Sequence, residues 1–404
     1  MLDKLQQHID KHNLLESNDR LLLTVSGGKD SVCMLHLFTQ LDYPLAIAHC
    51  NFSLRGIDSD EDESFVKGLA NQYGLPFFSK RFETKKYAQE NSISTQMAAR
   101  DLRYNWFNEL GFDKIATAHH QDDQIETLLL KKSRKASLEG LCGIPIQNEK
   151  IIRPLLCFSA QEIEFQLLKN KWGWREDVSN FSTDYQRNEI RLIQLPSMEK
   201  ENPKIREELL QEISVNQEKY ALLQQEVKRL LPFVWKKCNT YQELLLDELF
   251  NHPQKEDLIY ELLKEYGPFP WQNVFDLVNA VSGKEIFNQY YRLIKNRSSI
   301  LLLVNKTEKY GSVQIDKKTK FINTPIPLSF SVVKKRDSMD LSDNSMALLD
   351  LSKLSFPLTL RKWKHGDFFV PLGMKGRKKV SDFMIDEKFS ILQKENTWVL
   401  CSKD

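Results

Sequence analysis

The sequence predicts an α/β fold: a doubly wound parallel sheet in the first part, then a helical domain, then a small mixed α/β C-terminal domain. Three observations carry this. Short β-rich runs alternate with helical spacing through the first part of the chain, the polar residues Ser26, His49 and His119 fall just beyond those runs, and the pattern turns to long Glu-, Lys-, Gln- and Leu-rich helical spacing after Pro196. Repeated strand–helix–strand units imply a parallel sheet covered by helices on both faces, with ligands beyond the carboxyl ends of the strands.

Taken in order, residues 21–25 form an apolar run that stops at Ser-Gly-Gly, and 30–41 then carry helical spacing. Strands are expected at 45–48, 76–82 and 114–118, and helices at 59–73, 93–110 and 121–132, two of them stopped by Gly74 and Gly111. An apolar stripe through Ile205, Leu209, Ile213, Leu223, Val227 and Leu230 marks a connecting helix, and helical patterns continue to about Ile294. From Ile300 onward, 300–304, 312–315, 328–333, 358–360 and 397–400 read as strands. With 404 residues the chain is too long for one ordinary core, and the expected divisions are 1–200, 201–299 and 300–404.

A composition of 41% hydrophobic and 28% charged residues suits a globular protein in water. No apolar run approaches the roughly 18 residues that span a bilayer, and the first residues are too polar for a signal peptide. Six cysteines lie scattered without a Cys-x-x-Cys pair, which argues against a structural zinc site or a disulfide framework. A cytoplasmic location follows as the expectation. The net charge of +2 says little, but 361–379 holds seven Lys or Arg residues and a single Asp, and Lys131, Lys132, Arg134 and Lys135 form a second basic cluster. Either cluster reads equally as a polyanion site or as a solvated face.

The segment Ser26-Gly27-Gly28-Lys29-Asp30-Ser31 between strand and helix is the sharpest signal. Two glycines let the backbone turn and present N–H groups to phosphate oxygens, at the positive end of the following helix. Ser26 and Ser31 add hydroxyls, Lys29 adds charge, and Asp30 suits a magnesium ion against the phosphates. The Walker A spacing is absent. Further on, Asp123, Glu126 and Thr127 share one helix face beside His119 and His120, an arrangement that suits a metal ion or a proton acceptor. Simple charge complementarity at a helix start is the competing reading for Asp122 and Asp123. Arg100 and Arg103 are neighbours on one turn, one suited to nucleotide and the other to a structural ion pair, with the assignment open.

The hexapeptide resembles the signature of the PP-loop ATP pyrophosphatases, which cleave ATP between its α- and β-phosphates and pass AMP to an oxygen. Within that superfamily four blocks are similar to those of the tRNA(Ile)-lysidine synthetases. They are His49-Cys50-Asn51-Phe52-Ser53-Leu54-Arg55, Ala98-Ala99-Arg100-Asp101-Leu102-Arg103-Tyr104, the run from Thr117 to Thr127 with His119-His120-Gln121-Asp122-Asp123, and the run from Trp174 to Asn180 followed by Arg187 and Arg191. The segment around Gly366 and Lys378 resembles that family's C-terminal domain. Two departures stand out. Phe52 occupies the place of a second histidine, and Arg134-Lys135-Ala136-Ser137 replaces Arg-Gly-[Ser/Thr]-Gly.

The resemblance implies a Rossmann-like PP-loop domain and an ATP-dependent ligase that forms a carbon–nitrogen bond. The wobble cytidine of a tRNA(Ile) with a CAU anticodon attacks ATP through its C2 oxygen, and an amine of free L-lysine then displaces AMP. It implies ATP and Mg2+, with Asp30 and Asp123 as catalytic and metal-holding residues and Ser26, Gly27, Gly28, Lys29, Asp30, Ser31 and Arg100 on ATP. Candidates toward tRNA or substrate are Arg55, His119, His120, Glu126, Arg134, Arg187, Arg191 and Lys378. No membrane is expected as a partner, and a homodimer is compatible with the resemblance. The rival reading is another PP-loop tRNA-modifying enzyme, a cytidine or uridine thiolase.

Overall fold

A computed structural model describes residues 1–176, 186–305, 311–333, 345–371 and 373–402. The chain divides into two compact units, Met1–Gln225 and Glu226–Asp404.

In the first unit, α1 (Leu2–Lys11) precedes a regular alternation: β1 (Leu21–Thr24), α2 (Lys29–Phe38), β2 (Leu45–Asn51), α3 (Ile57–Tyr73), β3 (Phe77–Arg81), α4 (Thr84–Glu90), α5 (Thr95–Glu109), β4 (Lys114–Ala116) and α6 (Gln121–Ser133). The short α7 (Leu138–Leu141), β5 (Gln147–Asn148), β6 (Ile151–Ile152) and α8 (Ala160–Asn170) follow. The sheet order is β3-β2-β1-β4-β6-β5, parallel throughout except for the β5–β6 hairpin.

Side-chain alternation along the strands explains why both faces are covered. Leu21 and Leu23 point to one side, where they pack with Val32 and Leu35 of α2, Ile9 of α1 and Ile163 of α8. Leu22 points to the other, with Ala46, Ala48 and Ile115, against Trp106 and Phe107 of α5. Helix α3 stops where Gly74 takes a left-handed φ of 63°, and α5 starts where the Ser94 hydroxyl accepts the Met97 N–H at 3.2 Å. The expected long helix over 93–110 is thus α5, with α4 as an extra helix of about two turns before it.

The second unit carries helices Asp247–Phe250, Lys255–Leu263 and Trp271–Val278. It also holds a five-stranded antiparallel sheet, of which only the strand at 300–304 was expected; the other four fall where the sequence was read as helical. Its strands are Trp235–Lys237, Gln242–Leu245, Ser299–Val304, Tyr291–Lys295 and Glu285–Phe287, in that spatial order. Short runs such as Leu293-Ile294 between Arg292 and Lys295 carry no periodicity of their own, so neighbours decide between helix and strand. Here the Asn288 side chain accepts the N–H groups of Tyr290 and Tyr291 and turns the chain into a hairpin. Strands Val313–Ile315, Leu358–Lys362 and Trp398–Cys401 form a separate three-stranded sheet.

Candidate active site

The phosphate loop leaves the carboxyl end of β1. Gly27 sits at φ +99°, a conformation closed to most side chains, and its carbonyl accepts the N–H of Arg175 at 3.0 Å. Ser31 Oγ accepts the Ser26 N–H at 3.1 Å and donates to the Gly28 carbonyl at 2.9 Å, while the Ser26 and Ser31 hydroxyls lie 3.1 Å apart. Gly28 caps α2 in extended conformation with no side-chain acceptor, so the first N–H groups of α2 point outward as an anion site. Lys29 Nζ stands 3.9 Å from Glu164 on α8. Arg55 enters this framework as a brace. Its guanidinium meets Asp62 at 2.6 Å, and Asp62 also takes Arg175 at 2.5 Å, so the same carboxylate ties α3 to the segment that holds Gly27.

Beside the loop, the start of α6 gathers four acids and one histidine. His120 is the N-cap: its Nδ1 accepts the Asp122 N–H at 3.2 Å, and its own N–H donates to Asp123 Oδ2 at 3.0 Å. Its Nε2 faces Asp30 Oδ2 at 3.6 Å and Asp123 Oδ2 at 3.7 Å. Burial pushes this imidazole down, but the Asp30 contact and the charges of Asp123, Asp30 and Asp122 outweigh it and hold its pKa above the usual value. Asp123 Oδ1 is 2.8 Å from Arg187. Glu126, with no exposed side-chain surface, receives Arg187 at 2.7 Å and Arg191 at 2.6 Å. Asp122 accepts the Ala160 N–H at 3.0 Å and pairs with Arg206. Asp30 differs from all of these: its Oδ1 is buried and has no hydrogen-bond partner.

The third group lies on α5 and after β6. Among the described residues neither Arg100 nor Arg103 makes the ion pair that one of them was expected to make. Arg100 stacks over the Tyr104 ring at 4.9 Å and Arg103 over the Phe52 ring at 5.3 Å. Phe52 itself stacks on Phe82 at 5.7 Å, so this departure from the family pattern fills an aromatic shelf. His119 Nδ1 is 2.9 Å from Thr117 Oγ1, and burial, with Arg153, Arg187 and Arg103 nearby, lowers its pKa to about 4 despite Asp123. His49 Nδ1 donates to the Val25 carbonyl at 2.9 Å, which leaves Nε2 as an acceptor; burial lowers its pKa.

The candidates therefore separate. Asp30, His120, Asp123, Glu126, Arg187 and Arg191 come together; Arg134 sits apart on the surface with Gln186 at 2.5 Å. Lys378 belongs to the other unit, where it pairs with Asp386 at 2.8 Å. The block residues 177–180 lie outside the described residues. At the altered loop, Lys135 takes a left-handed φ of 50° and the Ala136 N–H returns to the Lys131 carbonyl at 3.0 Å, closing α6 where glycine is the usual choice. Gly140 remains necessary there, since a Cβ would sit 2.9 Å from that of Ala136. Sequence reasoning passed over Asp62, Arg153 and Arg206, and named Arg175 only as part of a block, with no role. A charged residue directly after the apolar pair Ile151-Ile152 was the available signal for Arg153.

Comparison with known proteins gives the family. A PP-loop domain model matches residues 1–198, and a TilS substrate binding domain model matches 238–306. A tRNA(Ile)-lysidine synthase of Parabacteroides distasonis is 37% identical, over 100% of this chain and 93% of that protein. The one from Bacteroides thetaiotaomicron is 37% identical over 98% and 91%, and that of Clostridium perfringens strain 13 is 31% identical over 96% and 90%. With similarity running the length of the chain and through its phosphate loop, this protein belongs to the tRNA(Ile)-lysidine synthase family.

Proposed function

We propose that the protein uses ATP to join free lysine to C2 of the wobble cytidine of a tRNA(Ile) with a CAU anticodon. The C2 oxygen attacks the α-phosphorus and the bond to pyrophosphate breaks. An amine of lysine then adds at C2, gives up a proton, and the C2–oxygen bond breaks to release AMP. The observation that supports this most directly is the buried, unpartnered oxygen of Asp30 inside a phosphate loop, in a chain of this family. The N–H groups at the start of α2, the Ser26 and Ser31 hydroxyls and Lys29 would cradle the phosphates; Arg100 is the nucleotide candidate.

Magnesium fits Asp30. Its free oxygen can join phosphate oxygens and water around a hard cation, whereas both oxygens of Asp123 are already engaged by Arg187 and the His120 N–H. The ion would supply neutralisation of phosphate charge. We assign Glu126 and Asp123 to holding Arg187 and Arg191 in place over the site. A thiolase reading finds less support, because the sequence has no Cys-x-x-Cys pair and burial pushes three of its six thiols, those of Cys33, Cys50 and Cys157, up to about 12. We place the enzyme in the cytoplasm, where its free cysteines stay reduced; no helix among the described residues is long and apolar enough to cross a membrane.

Pyrophosphate release with bulk tRNA, adding each amino acid in turn, tests the reading. Turnover to a modified tRNA is expected with lysine alone, and product formed with another amino acid, or without any, overturns it.

A further inference from the structure

The arginines of the first unit fall into two kinds. Arg20, Arg55, Arg81, Arg175, Arg187, Arg191 and Arg206 all meet carboxylates. Arg153, Arg103, Arg100 and the surface Arg134, which meets Gln186, have none among the described residues. Arg153 is the extreme case. It is 5% exposed, its Nη1 donates to the Pro145 carbonyl at 2.6 Å, the Tyr104 hydroxyl lies beside it, and its buried Nε has no acceptor. Burying an ionised guanidinium among neutral groups is strongly unfavourable unless a counter-charge joins it.

The position of this group is informative. Arg153 directly follows β6, whose Ile152 carbonyl accepts the Thr117 N–H at 3.0 Å, so it stands at the carboxyl edge of the sheet next to the turn carrying His119. Arg103 and Arg153 are both close enough to His119 for their charges to act on its ring. Arg100 acts likewise on Arg153. From Arg153 through Arg103 to Arg100 the guanidiniums pass from buried to half-buried to exposed, interleaved with Tyr104 and Phe52. One carboxylate needs one such group, and the triphosphate has its own cradle at the loop 26–31. A graded row of cations with ring faces suits a nucleotide chain that enters from solvent with one base turned inward.

We propose that Arg153, with Arg103 next to it, takes the phosphodiester flanking the everted wobble cytidine, so that the base enters the site with its backbone charge neutralised. This rests on the tRNA reading above. Arg153 is then a positioning residue: it holds the nucleotide whose C2 oxygen must reach the α-phosphorus.

The test uses the full chain and an anticodon stem–loop RNA with a CAU loop, natural or carrying neutral methylphosphonates on both sides of the wobble cytidine. The neutral linkages should weaken binding to the unaltered protein by about tenfold or more, the worth of a charge-assisted contact. Arg153→Met should lose a similar factor on the natural RNA and nothing further on the neutral one, with ATP affinity unchanged. Arg103→Gln should lose less and lower the salt slope by about one. Equal binding of the two RNAs by the unaltered protein overturns the proposal, as do independent, multiplying losses from the variant and the methylphosphonates. Should Arg153→Met fail to fold, the same coupling measured with Arg103→Gln decides: shared loss supports the proposal and multiplied loss overturns it. Lysidine formation by the unaltered protein on the natural transcript is scored separately, so failure of the functional reading is distinguishable from failure of this one.

Discussion

Two stretches of the same sheet edge treat charge in opposite ways. At the start of α6 the acids Asp122, Asp123 and Glu126 are each matched by an arginine, down to the fully buried Glu126 with two. A strand away, Asp30 keeps an oxygen without a partner, and Arg153 keeps a buried N–H without an acceptor. Matched charges stabilise a framework; unmatched ones mark where ligands carry the missing charge. Both stretches are equally rich in residues that a motif would call functional. What separates them is the neighbour each side chain meets.

If that division is right, substitutions on the two sides should fail in different ways. Asp30→Asn removes a carboxylate whose one ion-pair partner among the described residues is His120, at 3.6 Å, with Asp123 and Asp122 still beside that ring. Pyrophosphate release should fall by about 10²-fold or more while the unfolding midpoint stays near that of the parent. Activity within a few-fold of the parent would move Asp30 out of the chemistry. Glu126→Gln should show the reverse order of injury. It leaves two guanidiniums facing a neutral amide, and unfolding in urea should register a loss of about 2–3 kcal/mol, below the fully buried case because Arg187 and Arg191 are 43% and 40% exposed. A neutral outcome would mean that these matched charges are not framework.

Acid provides a smaller, graded test of the matched architecture. His36 is stacked on Trp172 at 4.2 Å, hydrogen-bonded to Tyr73, and has a buried Nε2 without a partner. Burial holds its pKa down at about 4. Because the unfolded chain binds the proton near 6.5 and the folded one only near 4, this group's contribution is present above about pH 6.5 and declines as pH falls between those values. His8 and His119 act in the same direction. Stability of the parent should therefore drop through this window, and His36→Gln should show a shallower drop; an unchanged slope would remove His36 from the account.

Much of the sheet was legible because strand periodicity and glycine stops are local signals: β1, β2, β3 and β4 lie where the apolar runs place them. The phosphate loop was legible for the same reason, its chemistry being compressed into six consecutive residues. The antiparallel sheet over 235–304 was legible only in its strand at 300–304, since strands such as Gln242–Leu245 gain their identity from pairing across more than fifty residues of chain. Nor could the sequence sort the arginines. Arg55 stands in a family motif yet braces Asp62, while Arg153 stands in no block singled out beforehand and has the one buried guanidinium nitrogen without an acceptor among the described residues. Partnership in three dimensions, across spacings such as Arg187 to Glu126, is invisible to a reading along the chain.

The identity of the product is tested most directly by mass spectrometry of nucleosides from tRNA reacted with ATP and lysine. Adenylation makes the C2 oxygen a leaving group, so the account predicts a cytidine heavier by one lysine less one water, found only at the wobble position of the CAU tRNA and only when lysine is present. A thiolated cytidine, or lysine held as an ester on the terminal ribose, would contradict it.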